Sequence, residues 1–280
     1  MSHQVHINSE TSPLLADGHD SANTVQREVN AVRHRFHETF AEFFGTYVFV
    51  FLGLAINASL LTQVGATAGP AATLLCALGW GLSLALGIAI AAPISGGHVN
   101  PAVTLAMVAH RQFPAAKALC FLAAQIIGGV AAAATLHAVY AGPIRRFSHD
   151  VAHGHDATAS IFVTHPGADA SNLSAFFAEL VGTAVLLIAI VAHVRSSNSE
   201  ATKAWTPYAA GLTLFILATA FGPLSGGGFN PARDLGPRLY ILIAGWGWSA
   251  ISAHSYYFWI PVVAPVIGGS VGTLLFDIFA

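Results

Sequence analysis

The stretch Gly222-Pro-Leu-Ser-Gly-Gly-Gly-Phe-Asn-Pro-Ala232 repeats, almost letter for letter, the earlier Ala92-Pro-Ile-Ser-Gly-Gly-His-Val-Asn-Pro-Ala102, and each copy follows a long apolar run. In both copies Asn suits an N-cap and Pro suits the first helical position, where its missing N–H costs nothing. Each copy therefore reads as a loop turning abruptly into a short helix, at Asn100-Pro101-Ala102 and again at Asn230-Pro231-Ala232. Two broken helices in one apolar chain decide the architecture.

Composition places that chain in a bilayer. Of its 280 residues 55% are hydrophobic and 9% charged, whereas about a quarter of a soluble domain is charged. A net charge of −2 and the absence of a basic run exclude nucleic acid as a partner. Cys76 and Cys120 both lie in apolar stretches and read as small core side chains, not as a disulfide framework. Six stretches are long enough, or nearly so, to cross ~30 Å of hydrocarbon as helices. They are Phe40–Leu61, Ala71–Pro93, Pro114–Tyr140, Leu173–Val194, Ala204–Phe221 and Tyr256–Ile278. The segments beginning at Asn100 and Asn230 are too short to span, so each enters and leaves by one face.

A second repeat sets the symmetry. Ala-Glu-Phe-Phe-Gly-Thr (41–46) opens the first span and Ala-Glu-Leu-Val-Gly-Thr (178–183) opens the fourth. Three spans per half is an odd number, so the second half is inverted and the two short helices dip in from opposite faces to meet near the midplane. The expected fold is an all-α membrane protein with six transmembrane helices and two re-entrant half-helices in two inverted repeats. Irregular backbone at that depth is tolerated where protein buries it or where it lines a water-filled path.

Residues 1–37 are polar and read as a disordered cytoplasmic N-terminal tail. Residues 38–280 form the membrane domain: a first repeat over about 38–141, an outer loop at 142–172 and a second repeat over about 173–280. Arg27, Arg33, Arg35, Arg111, Lys117, Arg195 and Lys203 collect on one side, and Arg145, Arg146, Arg233 and Arg238 on the other, which puts both termini in the cytoplasm. Glu10 with Leu14 and Leu15 has the form of an acidic dileucine signal, so the membrane is the plasma membrane or, if that signal operates, a vacuolar or endosomal one.

Paired Asn-Pro-Ala boxes, paired Ala-Glu openings, and His98 and Arg233 beside the boxes resemble the major intrinsic protein family, the aquaporins and aquaglyceroporins, over about residues 38–279. The resemblance implies a passive channel without cofactor, metal or catalytic step, in a lipid bilayer and assembled as a homotetramer. It also implies that Glu42 and Glu179 brace the dipping loops from behind. Independently of family, two helix N-termini each carry roughly half a positive charge and together oppose any cation where they meet. The Asn100 and Asn230 amides can hold a water by its oxygen and interrupt a proton wire. Gly96, Gly97, Gly226, Gly227 and Gly228 permit an extended backbone whose carbonyls face the path.

The family's constriction resembles Trp80, Ala218, Gly227 and Arg233 here. Trp80 opposite Arg233 would set an apolar wall against hydrogen-bond donors, suited to water and small uncharged polyols such as glycerol. Asp234, Arg238 and the pair Pro261-Val262 resemble the glycerol branch. Gly227 departs from bacterial glycerol facilitators, which have an aromatic there, so the corner is wider and solutes larger than glycerol fit unless Phe229 fills it; the alternative is a channel selective for water or one for other small neutral solutes such as urea, metalloid acids or hydrogen peroxide. His149, His153, His155 and His165 with Asp150 and Asp156 read as a solvated outer loop, with a metal or pH site as the alternative. Asn172 reads as a helix cap, and the serines after Arg195 as a cytoplasmic loop open to phosphorylation. Two rival functions remain at this level: a secondary transporter, which needs coupling-ion carboxylates, and a junction protein with a closed pore.

Overall fold

The computed structural model describes residues 13–64, 69–150, 154–195 and 200–280. The chain divides into two units, Met1–His37 and Glu38–Ala280, and the second carries the membrane architecture. The order of helices among the described residues is α1 (Pro13–Val64), α2 (Pro70–Ser95), α3 (Pro101–Ala109), α4 (Ala115–Asp150), α5 (Gly154–Phe162) and α6 (Asn172–Val194). The short α7 (Glu200–Ala204), then α8 (Thr206–Ser225), α9 (Pro231–Ile243), α10 (Ser249–Tyr256) and α11 (Ile260–Phe279) complete it. Among the described residues six helical segments are long and apolar enough to span a membrane. Large apolar side chains such as Val139, Leu82, Ile216 and Leu173 are more than half exposed around them, an arrangement stable in lipid and not in water.

Four boundaries differ from expectation for visible reasons. Residues 13–37 are helical where a disordered tail was expected, and after Pro13 the stretch holds Gly18 as its one helix breaker. The dileucine pattern begins at Glu10, outside the described residues. The outer loop is largely helix, because α4 continues through Pro143 and α5 follows. The last spanning helix opens at Ile260, not Tyr256, because His254, Ser255 and Tyr256 adopt left-handed backbone conformations that end α10. Ser171, not Asn172, caps α6, its hydroxyl accepting from the Ser174 N–H.

The two repeats pack against each other. Helix α4 of the first half lies against α9 of the second, and α11 of the second lies against α3 of the first, while α2 crosses α8. The crossings are made by glycine. A Cβ on Gly81 would sit 2.5 Å from the Gly211 carbonyl oxygen, and one on Gly211 would sit 2.5 Å from that of Gly81. Gly45 and Gly87 repeat the arrangement between α1 and α2 at 2.7 and 2.6 Å. In lipid, where apolar burial gives no drive between helices, such close approach supplies the packing. Replacing Gly81 by Leu forces α2 and α8 apart and is expected to cost about 1–3 kcal/mol or more, read as earlier loss of the monodisperse peak when detergent-solubilised protein is heated before size exclusion.

Candidate pore

The two boxes fold through the same local steps. Each preceding helix ends on a left-handed glycine, Gly96 (φ 88°) or Gly226 (φ 81°), followed by a second, Gly97 (67°) or Gly227 (66°). Ser95 and Ser225 accept from the Gly97 and Gly227 amides at 3.1 and 3.2 Å. Their hydroxyls in turn donate to Glu42 and Glu179, both at 2.6 Å. The two buried carboxylates then accept the next amides: Glu42 takes His98 N (2.9 Å) and Val99 N (2.7 Å), and Glu179 takes Gly228 N (2.8 Å) and Phe229 N (2.6 Å). A buried carboxylate with this many donors satisfies loop amides that no water or helix partner could reach.

Val99 (φ 51°) and Phe229 (φ 47°) occupy a backbone region costly for a side chain with a Cβ, above all a β-branched one. Both are held from two sides. Their N–H groups go to the glutamates, and their carbonyls accept from the opposite half: Asn100 Nδ2 donates to Phe229 O at 2.9 Å, and Asn230 Nδ2 to Val99 O at 2.8 Å. The Asn Oδ1 atoms cap their own helices, on Ala102 N (2.8 Å) and Ala232 N (2.9 Å). One amide hydrogen of each asparagine is therefore committed to protein. The Ala102 and Ala232 carbonyls pass close to Gly269 of α11 and Gly129 of α4, where added Cβ atoms would stand 3.2 and 2.6 Å away.

A cavity of about 460 Å³ lies on one side of the boxes, and Trp80, Ala218, Gly226, Gly227 and Arg233 all line it. The four residues of the expected constriction thus share one space. Their arrangement differs from expectation in one respect: the Arg233 guanidinium carbon lies 4.0 Å from the Trp80 ring centroid. At contact distance the two groups stack, so no solute passes between them, and the open side is the one walled by Ala218 and Gly227. Arg233 Nη1 donates to Phe162 O at 3.4 Å, while its Nε finds no hydrogen-bond partner among the described residues. Phe229 does not fill the open corner, because its ring turns away to cover Gly182, where a Cβ would meet it at 2.3 Å.

Asp234 and Arg238 are structural. Asp234 accepts from Thr164 N and Oγ1, both at 2.7 Å, and from Arg238 Nε at 2.7 Å. Arg238 also donates to Ala250 O and Thr164 O. A buried arginine engaged in this way is not a charge on the membrane face, so its place in the orientation argument falls away. The network pins the segment after α5 across the mouth of the cavity. Sequence reasoning missed Thr164, Asn57 and Gln125. Thr164 carries no local signal, but Asn57 and Gln125 are polar side chains within apolar spans and could have been flagged.

Beyond the boxes, a smaller cavity of about 140 Å³ is lined by Gly96, Gly97, His98, Val103 and Arg195, among others. His98 Nδ1 lies 3.1 Å from Thr104 Oγ1, which accepts from Gln125 Nε2 at 3.0 Å; Gln125 also donates to Glu42. Cys76 lines the larger cavity and Cys120 is exposed, so neither is the core side chain expected. His165 stacks on His254 at 5.2 Å between centroids. The side chains of Asp150, His153, His155 and Asp156 lie outside the described residues, and the described residues contain no cluster of three or more metal-ligating side chains.

Two half-helices meeting at paired Asn-Pro-Ala boxes between two cavities, within six spans, match a known family. The major intrinsic protein family model covers residues 28–276. The chain belongs to the major intrinsic protein family, a family of membrane channels. It is 41% identical over 248 residues to aquaglyceroporin-2 of Rhizophagus irregularis, covering 88% of this chain and 78% of the relative. It is 36% identical to aquaporin-9 of Homo sapiens, covering 85% and 81%. The X-ray structure of the aquaglyceroporin from Plasmodium falciparum superposes with a TM-score of 0.75 at 30% identity, over 86% of this chain and 94% of that one. The protein is accordingly an integral, multi-pass membrane channel that passes water and small solutes.

Glu179→Gln keeps one acceptor oxygen but turns an NH₂ group toward the donors of Ser225, Gly228 or Phe229. The expected loss is about 1–3 kcal/mol, measured as a lower apparent Tm in detergent than for Glu179→Asp, which retains the carboxylate.

Proposed function

We propose that the chain conducts water and small uncharged polyols such as glycerol, passively, from the cavity beside Arg233, past the two asparagines, to the cavity beside His98. The observation that carries this reading is the wall pattern of the larger cavity. The Arg233 guanidinium supplies donors, the Trp80 ring supplies a carbon face, and Ala218 and Gly227 leave room on the remaining side. A molecule with a hydroxyl edge and a carbon edge meets complementary groups there. Trp80, Ala218, Gly227 and Arg233 form the selectivity filter. The names of the Rhizophagus and Plasmodium relatives support the polyol reading.

Proton and ion exclusion follows from the midpoint. Two helix N-termini face each other through Asn100 and Asn230, so positive potential peaks where a cation would be least hydrated. One free amide hydrogen on each asparagine holds a permeant oxygen by its lone pairs and breaks the line of donor-to-acceptor waters. Glu42 and Glu179 spend their oxygens on loop amides, which argues against an ion-coupled transporter. The absence of a ring at Gly227 favours passage of other small neutral solutes as well, including urea and metalloid acids. Both termini face the cytoplasm, by the distribution of Arg and Lys, and four copies assemble, each with its own path.

Purified protein in liposomes is expected to accelerate both shrinkage under a sucrose gradient and re-swelling in glycerol, followed by stopped-flow light scattering. Water transport without glycerol entry would reject the polyol reading. Arg233→Val removes the cavity's guanidinium donors; it is expected to change the glycerol-to-water permeability ratio by roughly tenfold, the equivalent of about 1.4 kcal/mol of differential interaction. An unchanged ratio would remove Arg233 from the filter.

A further inference from the structure

The indole of Trp80 has a polar end as well as a carbon face, and in this chain that end is occupied. Asn57, on α1, accepts from Trp80 Nε1 through its Oδ1 at 2.9 Å. The same oxygen accepts from Cys76 Sγ at 3.3 Å, and the Asn57 Nδ2 donates to Ile161 O at 3.0 Å. One side chain thus ties α1, α2 and the end of α5 together at the wall of the larger cavity, which Asn57 itself lines. Ile161 O is the neighbour of the Phe162 carbonyl that accepts from Arg233 Nη1. The indole is seated from below by Gly53, where a Cβ would stand 2.3 Å from the ring, and braced by the edge of Phe49 at 5.4 Å and 78°. The Arg233 guanidinium carbon lies 4.0 Å from the ring centroid.

We infer that Asn57 is a specificity-determining positioning residue, which acts through the Trp80 indole N–H to fix the ring, and with it the stacked Arg233, against the wall of the cavity. The inference rests on the filter assignment above. Its chemistry is direct. With the Nε1–H spent on Asn57, Trp80 meets a permeant molecule with carbon alone, so polar recognition on that side falls to Arg233 and the loop carbonyls. Without an acceptor, a nearly buried indole N–H must find a new partner. The partners within reach are cavity waters and solute, and turning toward them breaks the stack that places the guanidinium. The filter then loses both its carbon face and its fixed donors, and discrimination by size falls.

The test compares wild type, Asn57→Val, Trp80→Phe and the double variant in liposomes, scoring the permeability of glycerol and of a four-carbon polyol relative to water. Asn57→Val keeps the volume and removes the acceptor; Trp80→Phe keeps a ring and removes the donor. Each single variant is expected to raise the larger solute's permeability relative to water by roughly threefold or more, the size of a modest coupling between touching residues. The double variant is expected to fall short of the sum of the singles, because both remove the same Trp80–Asn57 bond. Asn57→Asp keeps the acceptor for the indole but loses the donor to Ile161 O, so it is expected to give ratios closer to wild type than Asn57→Val does. Additive effects in the double variant, or an Asn57→Val channel with unchanged ratios, would overturn the assignment. Loss of all permeability in Asn57→Val with wild-type ratios in Trp80→Phe would equally overturn it, marking Asn57 as a folding residue. A wild type that passes water but no glycerol would reject the polyol reading alone; the inference then stands or falls on whether Asn57→Val admits glycerol.

Discussion

The reciprocal clasp between Asn100 and Asn230 is the constraint around which the rest is arranged. Each amide does two jobs: its oxygen caps its own half-helix, and its nitrogen reaches the carbonyl that precedes the other box. That second bond is possible only if Val99 and Phe229 turn into the left-handed region, which costs of order 1–3 kcal/mol at each residue. The cost is offset by the buried glutamates behind them, which accept the amides the turn would otherwise orphan. Clasp, strained residue and glutamate are one unit, used twice with the same geometry.

Everything outside that unit serves to bring two half-helices end to end in lipid. Water offers no help there, so helices must approach closely enough for dispersion to hold them, and glycine is placed where they cross. Gly129 and Gly269 stand behind the Ala232 and Ala102 carbonyls, each supplied by the half to which the box does not belong. The repeats therefore interlock. Each half completes the seat of the other's box, which explains why an architecture built from two similar pieces behaves as one membrane domain.

On this symmetric frame the two cavities are built differently. One side carries Trp80 stacked on Arg233, with Asp234, Arg238 and Thr164 holding the outer segment over it. The other carries His98, tied to Thr104 and Gln125 and packed among Phe113 and Phe121. In position 228 of the second repeat, where the first has His98, stands a glycine whose Cβ would lie 3.1 Å from a Glu179 oxygen. The frame transmits position; the differences between the halves set the chemistry of each mouth.

Much of this was legible in the chain. Two copies of a Ser-Gly-Gly…Asn-Pro-Ala motif, two Ala-Glu openings and six apolar runs determined an inverted repeat with re-entrant half-helices, because in hydrocarbon every backbone group must be satisfied within helices or by specific partners. The box residues and the two glutamates were readable for the same reason: their types matter through local chemistry that recurs at fixed spacing. Only the tertiary structure decided how side chains distant in sequence fall against each other. It put Arg233 on the face of Trp80 and not opposite it, turned the Phe229 ring into Gly182, and buried Arg238. It also brought Asn57 to the indole nitrogen and made helix of the outer loop and of residues 13–37. Spacing along a chain fixes which residues share an element, but a ring's direction is chosen by whatever surface closes over it. That surface comes from helices whose approach is set by glycines far away in sequence.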